Sequence, residues 1–174
     1  MSGRLFNQVA VRKIGGGFLV LAEVQLFNDA GVNVAPLGTA SSTSSSFGGL
    51  ASYAIDGSSS TAFGDDTVFH SGSAGDQIWT LTMDRAYFQS ELTKVGILGR
   101  NAGSHHSSAA VELLSTDGEA PLVIGITEDT IEQSFDVPPT SAGPYSLGVQ
   151  DSVLKGSTGS PYAPWRWGSV PRKG

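Results

Sequence analysis

No stretch of this chain carries an apolar repeat of 3.6 residues long enough to make a packed helix. Its apolar residues come instead in short runs of period two, separated by glycine, serine, asparagine and aspartate. The strongest run is Phe18-Leu-Val-Leu-Ala-Glu-Val-Gln-Leu-Phe27. On an extended backbone Leu19, Leu21, Glu23 and Gln25 share one face, and Val20, Ala22, Val24 and Leu26 share the other. The second face is uniformly apolar and is expected to meet the core. Val9 to Lys13 alternates more weakly, with Gly15-Gly-Gly17 as the turn between the two runs. Asn28-Asp29-Ala30-Gly31 is a second turn signal, leading into Val32 to Ala35.

Further along, Ile78, Thr80 and Thr82 alternate with Trp79, Leu81 and Met83. Lys94 to Leu98 and Ala109 to Leu114 read as strands, Thr116-Asp117-Gly118 as a hairpin-type turn, and Leu122 to Ile126 as the return. Ser134 to Val137 reads as the last strand, and Ala86 to Leu92 has room for one helical turn at most. Twenty-three glycines in 174 residues supply the turns that many short strands need. The predicted class is all-β, an antiparallel β-sandwich. At 39% hydrophobic the chain can bury a core unaided, and with no cysteine it has neither disulfides nor thiolate chemistry. No run of about 18 apolar residues could span a membrane, and Met1 to Gln8 lacks the apolar centre of a secretory signal.

Charge divides the chain. Residues 1–137 hold 6 Lys and Arg against 15 Asp and Glu, a net of −9, whereas residues 138–174 hold 4 against Asp151, a net of +3. An acidic body argues against nucleic acid, whose affinity depends on neutralising phosphates, and against anionic membranes. Six of the eight prolines also fall in 138–174, together with Tyr145, Tyr162, Trp165 and Trp167. Residues 1–137 are therefore read as the sandwich and 138–174 as an irregular arm too aromatic for a solvent linker. The arm is read as packing either on its own sandwich or on a neighbour, and in the second case Trp165, Arg166 and Trp167 are the candidate partner-binding residues, for another protein or another copy of the chain.

Gly38 to Gly57 holds a small-residue run that ends in Ala51-Ser-Tyr-Ala-Ile-Asp-Gly57. His70-Ser71 follows, then Trp79 on its strand, then Gly99-Arg100 at the end of another. Together these resemble the discoidin-like (coagulation factor 5/8 C-terminal type) domains with a galactose-binding jelly-roll fold, and most closely the fucose-binding F-type lectins. The resemblance covers roughly residues 18–137. Leu21-Ala-Glu-Val24 lies near the N-terminus, where stand-alone members carry such a strand near the C-terminus, so the resemblance implies a circular permutation.

It also implies two sites. A calcium ion would take carbonyls from the Tyr53 to Ser58 loop, the Asp56 carboxylate, and oxygens of Thr67 and Glu23. A sugar would meet His70 and Arg100 as polar anchors over an apolar surface; in this chain Phe47, Tyr53, Phe63 and Phe69 are the candidates for that surface, and His105 and His106 are candidate substitute donors. Where the family carries an Asp and a second cation, this chain has Ala102 and Ser107.

Nothing in the chain points to catalysis. It has no nucleophile elbow, zinc-protease helix, phosphate loop or dinucleotide fingerprint, and the Ser41 to Ser46 tract has no evident activating base. Adjacent His105 and His106 are expected to point in opposite directions. The leading expectation is a non-catalytic, calcium-stiffened glycan-binding module. The alternative is an assembly subunit of a larger complex or virion that keeps the fold and uses its C-terminal arm.

Overall fold

The computed structural model of the protein describes residues 3–64, 66–101 and 105–140. Ten strands alternate with short 3-10 turns at Ala35–Leu37, Ala51–Ile55 and Gln89–Glu91. The strands are β1 (Leu5–Lys13), β2 (Val20–Leu21), β3 (Glu23–Asn28), β4 (Thr39–Ser42), β5 (Phe69–His70), β6 (Gln77–Phe88), β7 (Leu92–Leu98), β8 (Ala110–Ser115), β9 (Leu122–Ile126) and β10 (Glu132–Asp136). All pairings are antiparallel. A five-stranded sheet runs β4-β6-β1-β8-β9, a three-stranded sheet β10-β7-β3, and β2 pairs with β5 in a two-stranded ribbon. Val9, Val11, Trp79, Leu81, Val111 and Leu113 of the larger sheet meet Val24, Leu26, Val95 and Ile97 of the smaller in one buried core. The described residues form an antiparallel β-sandwich, as the period-two runs predict.

Two local departures shift the phase of the pattern. Along β1 the register slips between Phe6 and Gln8, so the even-numbered Phe6 and the odd-numbered Val9 and Val11 all turn inward. An irregularity between these two residues does this; the alternation from Val9 to Lys13 is weak because Ala10 is buried along with Val9 and Val11.

The second departure corrects an expectation. Phe18 to Phe27 is not one strand with a single apolar face. It breaks at Ala22 into β2, which pairs with β5, and β3, which pairs with β7. Leu19 and Leu21 enter the main core ahead of the break, and Val24 and Leu26 enter it after. Val20 and Ala22 form a separate small cluster with Val68. A one-residue change of phase exchanges the faces, and it leaves Glu23 buried at the seam.

The Ser-rich tract is structural. The Ser44 hydroxyl donates to the side-chain Oε1 of buried Gln77 and accepts from the Gly72 backbone amide at 2.8 Å. The Gln77 amide donates in turn to the Ala74 carbonyl at 2.7 Å. These bonds fasten the end of β4 to the start of β6.

Candidate functional site

One end of the sandwich gathers aromatic and basic side chains from five separate segments. At its centre is His70, only 4% exposed on β5. The ring of Phe18 lies 4.8 Å from the His70 ring, Phe47 4.9 Å, Phe63 5.7 Å and His105 6.4 Å, mostly edge to face. The Arg100 guanidinium stacks over Phe63 at 4.9 Å. Phe47 and Phe63 are 69% and 43% exposed, so their rings form an apolar surface open to solvent.

Backbone geometry places each group. Gly49 passes so close to β5 that a Cβ on it would lie 2.4 Å from the His70 nitrogen, while Ser46 donates to the His70 carbonyl at 2.8 Å. Phe47 itself adopts φ +54°, a left-handed conformation costly for a side chain of its size. Asp66 and Ser108, the other non-glycine residues with positive φ among those described, sit on the Phe63 loop and beside the His105 turn. Backbone strain of this kind collects at binding and catalytic sites.

His70 Nδ1 meets the Ser71 carbonyl at 2.8 Å, which makes Nδ1–H the donor and leaves Nε2 without a partner among the described residues. Burial lowers the His70 pKa, and His105 and Arg100 lower it further against the pull of that carbonyl. The ring is therefore neutral near pH 7, with a lone pair on Nε2 that can accept a hydrogen bond. Ser71 is buried and structural: its hydroxyl accepts from the Leu19 amide at 2.7 Å and donates to the Gly72 carbonyl.

The histidine pair diverges. His105 turns toward His70, whereas His106 is buried with Nε2 2.7 Å from the Thr130 carbonyl and its ring pressed on Gly99. Lys13 holds the turn, donating to the carbonyls of His105 at 3.1 Å and Ser107 at 3.2 Å. Burial lowers its pKa.

Other expected residues fall elsewhere. Phe69 is fully buried in the core on the opposite side of β5 from His70, so it offers a sugar no surface. Tyr53 lies beside the cluster, lining a cleft of about 70 Å³ with Phe47, Phe63, Asp66 and Val68. Trp165, Arg166 and Trp167 lie outside the described residues. Phe18 and Lys13 were not among the expected residues. Nothing in their own segment marks them, because they reach the site only through folding.

A second cluster lies at the break in the Phe18 to Phe27 run. Glu23 is 2% exposed, and neither of its carboxylate oxygens has a hydrogen-bond partner among the described residues. Burial first and the Asp56 carboxylate second push its pKa up to about 7, opposed by the nearby Gly57 amide, which does not reach hydrogen-bonding geometry. The Ala51–Ile55 turn packs on β3 and ends at Asp56, whose Oδ1 accepts from the Ser58 amide at 2.7 Å. The hydroxyl of Thr67, at the far end of the same loop, is buried and also without a partner among the described residues.

A buried carboxylate with two orphaned oxygens and a second carboxylate beside it is costly without a cation. The donors are all hard oxygens, the type calcium takes. No group of three or more His, Asp or Glu side chains converges on one point among the described residues, so carbonyls and hydroxyls would have to complete the shell.

Comparison with family models, with curated protein sequences and with solved structures returned no match to this chain.

Proposed function

We propose that this protein is a non-catalytic carbohydrate-binding module of the discoidin-like, F-type-lectin kind, whose binding loops are stiffened by a calcium ion. The observation that carries the reading is the cluster at the loop end of the sandwich. His70 contributes an unpartnered Nε2, Arg100 a guanidinium, and Phe47 and Phe63 exposed rings, all from residues far apart in sequence. A sugar uses both halves of such a surface: hydroxyls bond to the polar anchors while a C–H face lies on a ring. The jelly-roll arrangement and the circular permutation belong to the same reading.

Calcium would be held by Glu23 and Asp56, with the Thr67 hydroxyl and loop carbonyls near Tyr53 to Ser58. Bound there, it would neutralise the buried carboxylates and fix the loop that carries Phe63. The chain itself supplies the sugar contacts. Affinity of one copy is expected to be weak and raised by clustering, since a shallow polar site offers few contacts.

The test is a glycan array read with bead-clustered protein, in calcium and then in chelator. Binding to a defined glycan, lost in His70→Ala and Arg100→Ala and weakened by chelator, is expected. A blank array from folded protein would overturn the proposal.

A further inference from the structure

The cation at this site is the exception among its kind. Of the four described arginines, Arg4 pairs with Glu119 at 2.8 Å, Arg12 with Glu112 at 3.4 Å and Arg85 with Glu91 at 2.9 Å. Among the described residues, Arg100 alone of these has no carboxylate within ion-pair distance. Its Nε is closed off from solvent without a hydrogen-bond partner, and its guanidinium lies on the Phe63 ring. In a chain with 16 acidic and 10 basic residues, a half-buried arginine with no ion pair among the described residues, at the edge of an exposed aromatic surface, is poised for charge from outside.

We propose that the ligand is an acidic saccharide, one whose carboxylate engages the Arg100 guanidinium while its ring rests on Phe47 and Phe63. The inference rests on the carbohydrate reading and narrows it. A planar guanidinium fork matches a carboxylate with two parallel hydrogen bonds, and partial desolvation strengthens the pair relative to one in water. His70 Nε2, 96% of whose residue surface is buried, accepts a sugar hydroxyl rather than the carboxylate while its ring is neutral.

Asp66 limits the pose. It lines the neighbouring cleft with Tyr53 and Phe63 and makes no ion pair with Arg100. A ligand carboxylate is repelled from that cleft and directed to the Arg100 edge of the aromatic surface.

The experiment uses the full chain clustered on beads, with polygalacturonate and sialyllactose each immobilised beside its own methyl ester. Esterification removes the charge and keeps the sugar. Retention about tenfold stronger on at least one acid than on its ester is expected, weakening as sodium chloride is raised. Arg100→Gln should bring acid and ester to the same level with an unchanged melting temperature, and Arg100→Lys should keep part of the preference.

Equal retention on acids and esters would overturn the inference and leave the carbohydrate reading standing. So would binding on the array to neutral glycans alone. No binding to any glycan would overturn both, and capture only by phosphatidylserine vesicles would replace them with a lipid surface.

Discussion

Glu23 is the residue whose chemistry is most exposed to test. Its carboxyl is neutral in acid, and because folding raises its pKa from 4.5 to about 7, the folded state holds a proton that the unfolded state has released across that interval. Without a cation, stability therefore falls as pH rises from about 4.5 to about 7, by about 3 kcal/mol in total from the linkage relation. Calcium should reverse this above pH 7 by binding the ionised form. Glu23→Gln keeps the shape and removes the charge. In chelator at pH 8 it should melt several degrees higher than the parent chain, and calcium should no longer raise its melting temperature. Scanning calorimetry of both proteins checks this, and an unchanged calcium shift in the variant would remove Glu23 from the site. His70 acts in the opposite sense. Its lowered pKa means that stability is full above its ordinary value of 6.5 and declines as pH falls below it.

The proposed binding surface is set by loops held against short strands. The loop from Ser46 to Gly49 lies on β5 with no space for a side chain at Gly49, whose ideal Cβ would sit 2.4 Å from the His70 nitrogen and 2.9 Å from the Val68 carbonyl. Both near atoms are backbone, which has little freedom to yield. Gly49→Ala should lift the loop, carry Phe47 off His70, and cost about 2–4 kcal/mol in denaturant unfolding, with glycan retention reduced in parallel. Loss of stability with retention intact would detach Phe47 from the site. The Asn28 to Gly31 turn, by contrast, was legible in the sequence. Asn28 Oδ1 accepts from the amides of Ala30 at 3.1 Å and Val32 at 2.9 Å, the local bonding for which Asn is favoured in turns. The Thr116 to Gly118 turn was equally legible, since it joins β8 and β9 directly and its geometry depends on a few adjacent residues.

At the scale of the whole sandwich, the two sheets meet along β9 and β10, where Phe135 packs on Gly125. A Cβ on Gly125 would lie 2.0 Å from the Phe135 ring, so a side chain there must push the sheets apart or drive the ring out. Gly125→Val should lower stability by about 2–4 kcal/mol while leaving the His70 cluster, at the loop end, able to bind in conditions where the protein is folded. Equal stability of the variant and the parent would mean that the sheets are not closed by this contact. The sequence by itself determined the class of fold, because period-two runs between glycine-rich turns can bury an apolar face only by packing sheets. It also determined most strands and turns, which follow from neighbouring residues, and it offered His70, Arg100, Asp56 and Glu23 as candidates through motifs that resemble those of a known family. Only the tertiary structure decided the rest. The break at Ala22 that buries Glu23 arises because two halves of one apolar run pair with different strands. Phe18, Phe47 and Phe63 close around His70 because loops distant in sequence are carried to the same end of the sandwich. That convergence depends on strand pairing and loop closure across the chain, interactions that no local pattern encodes.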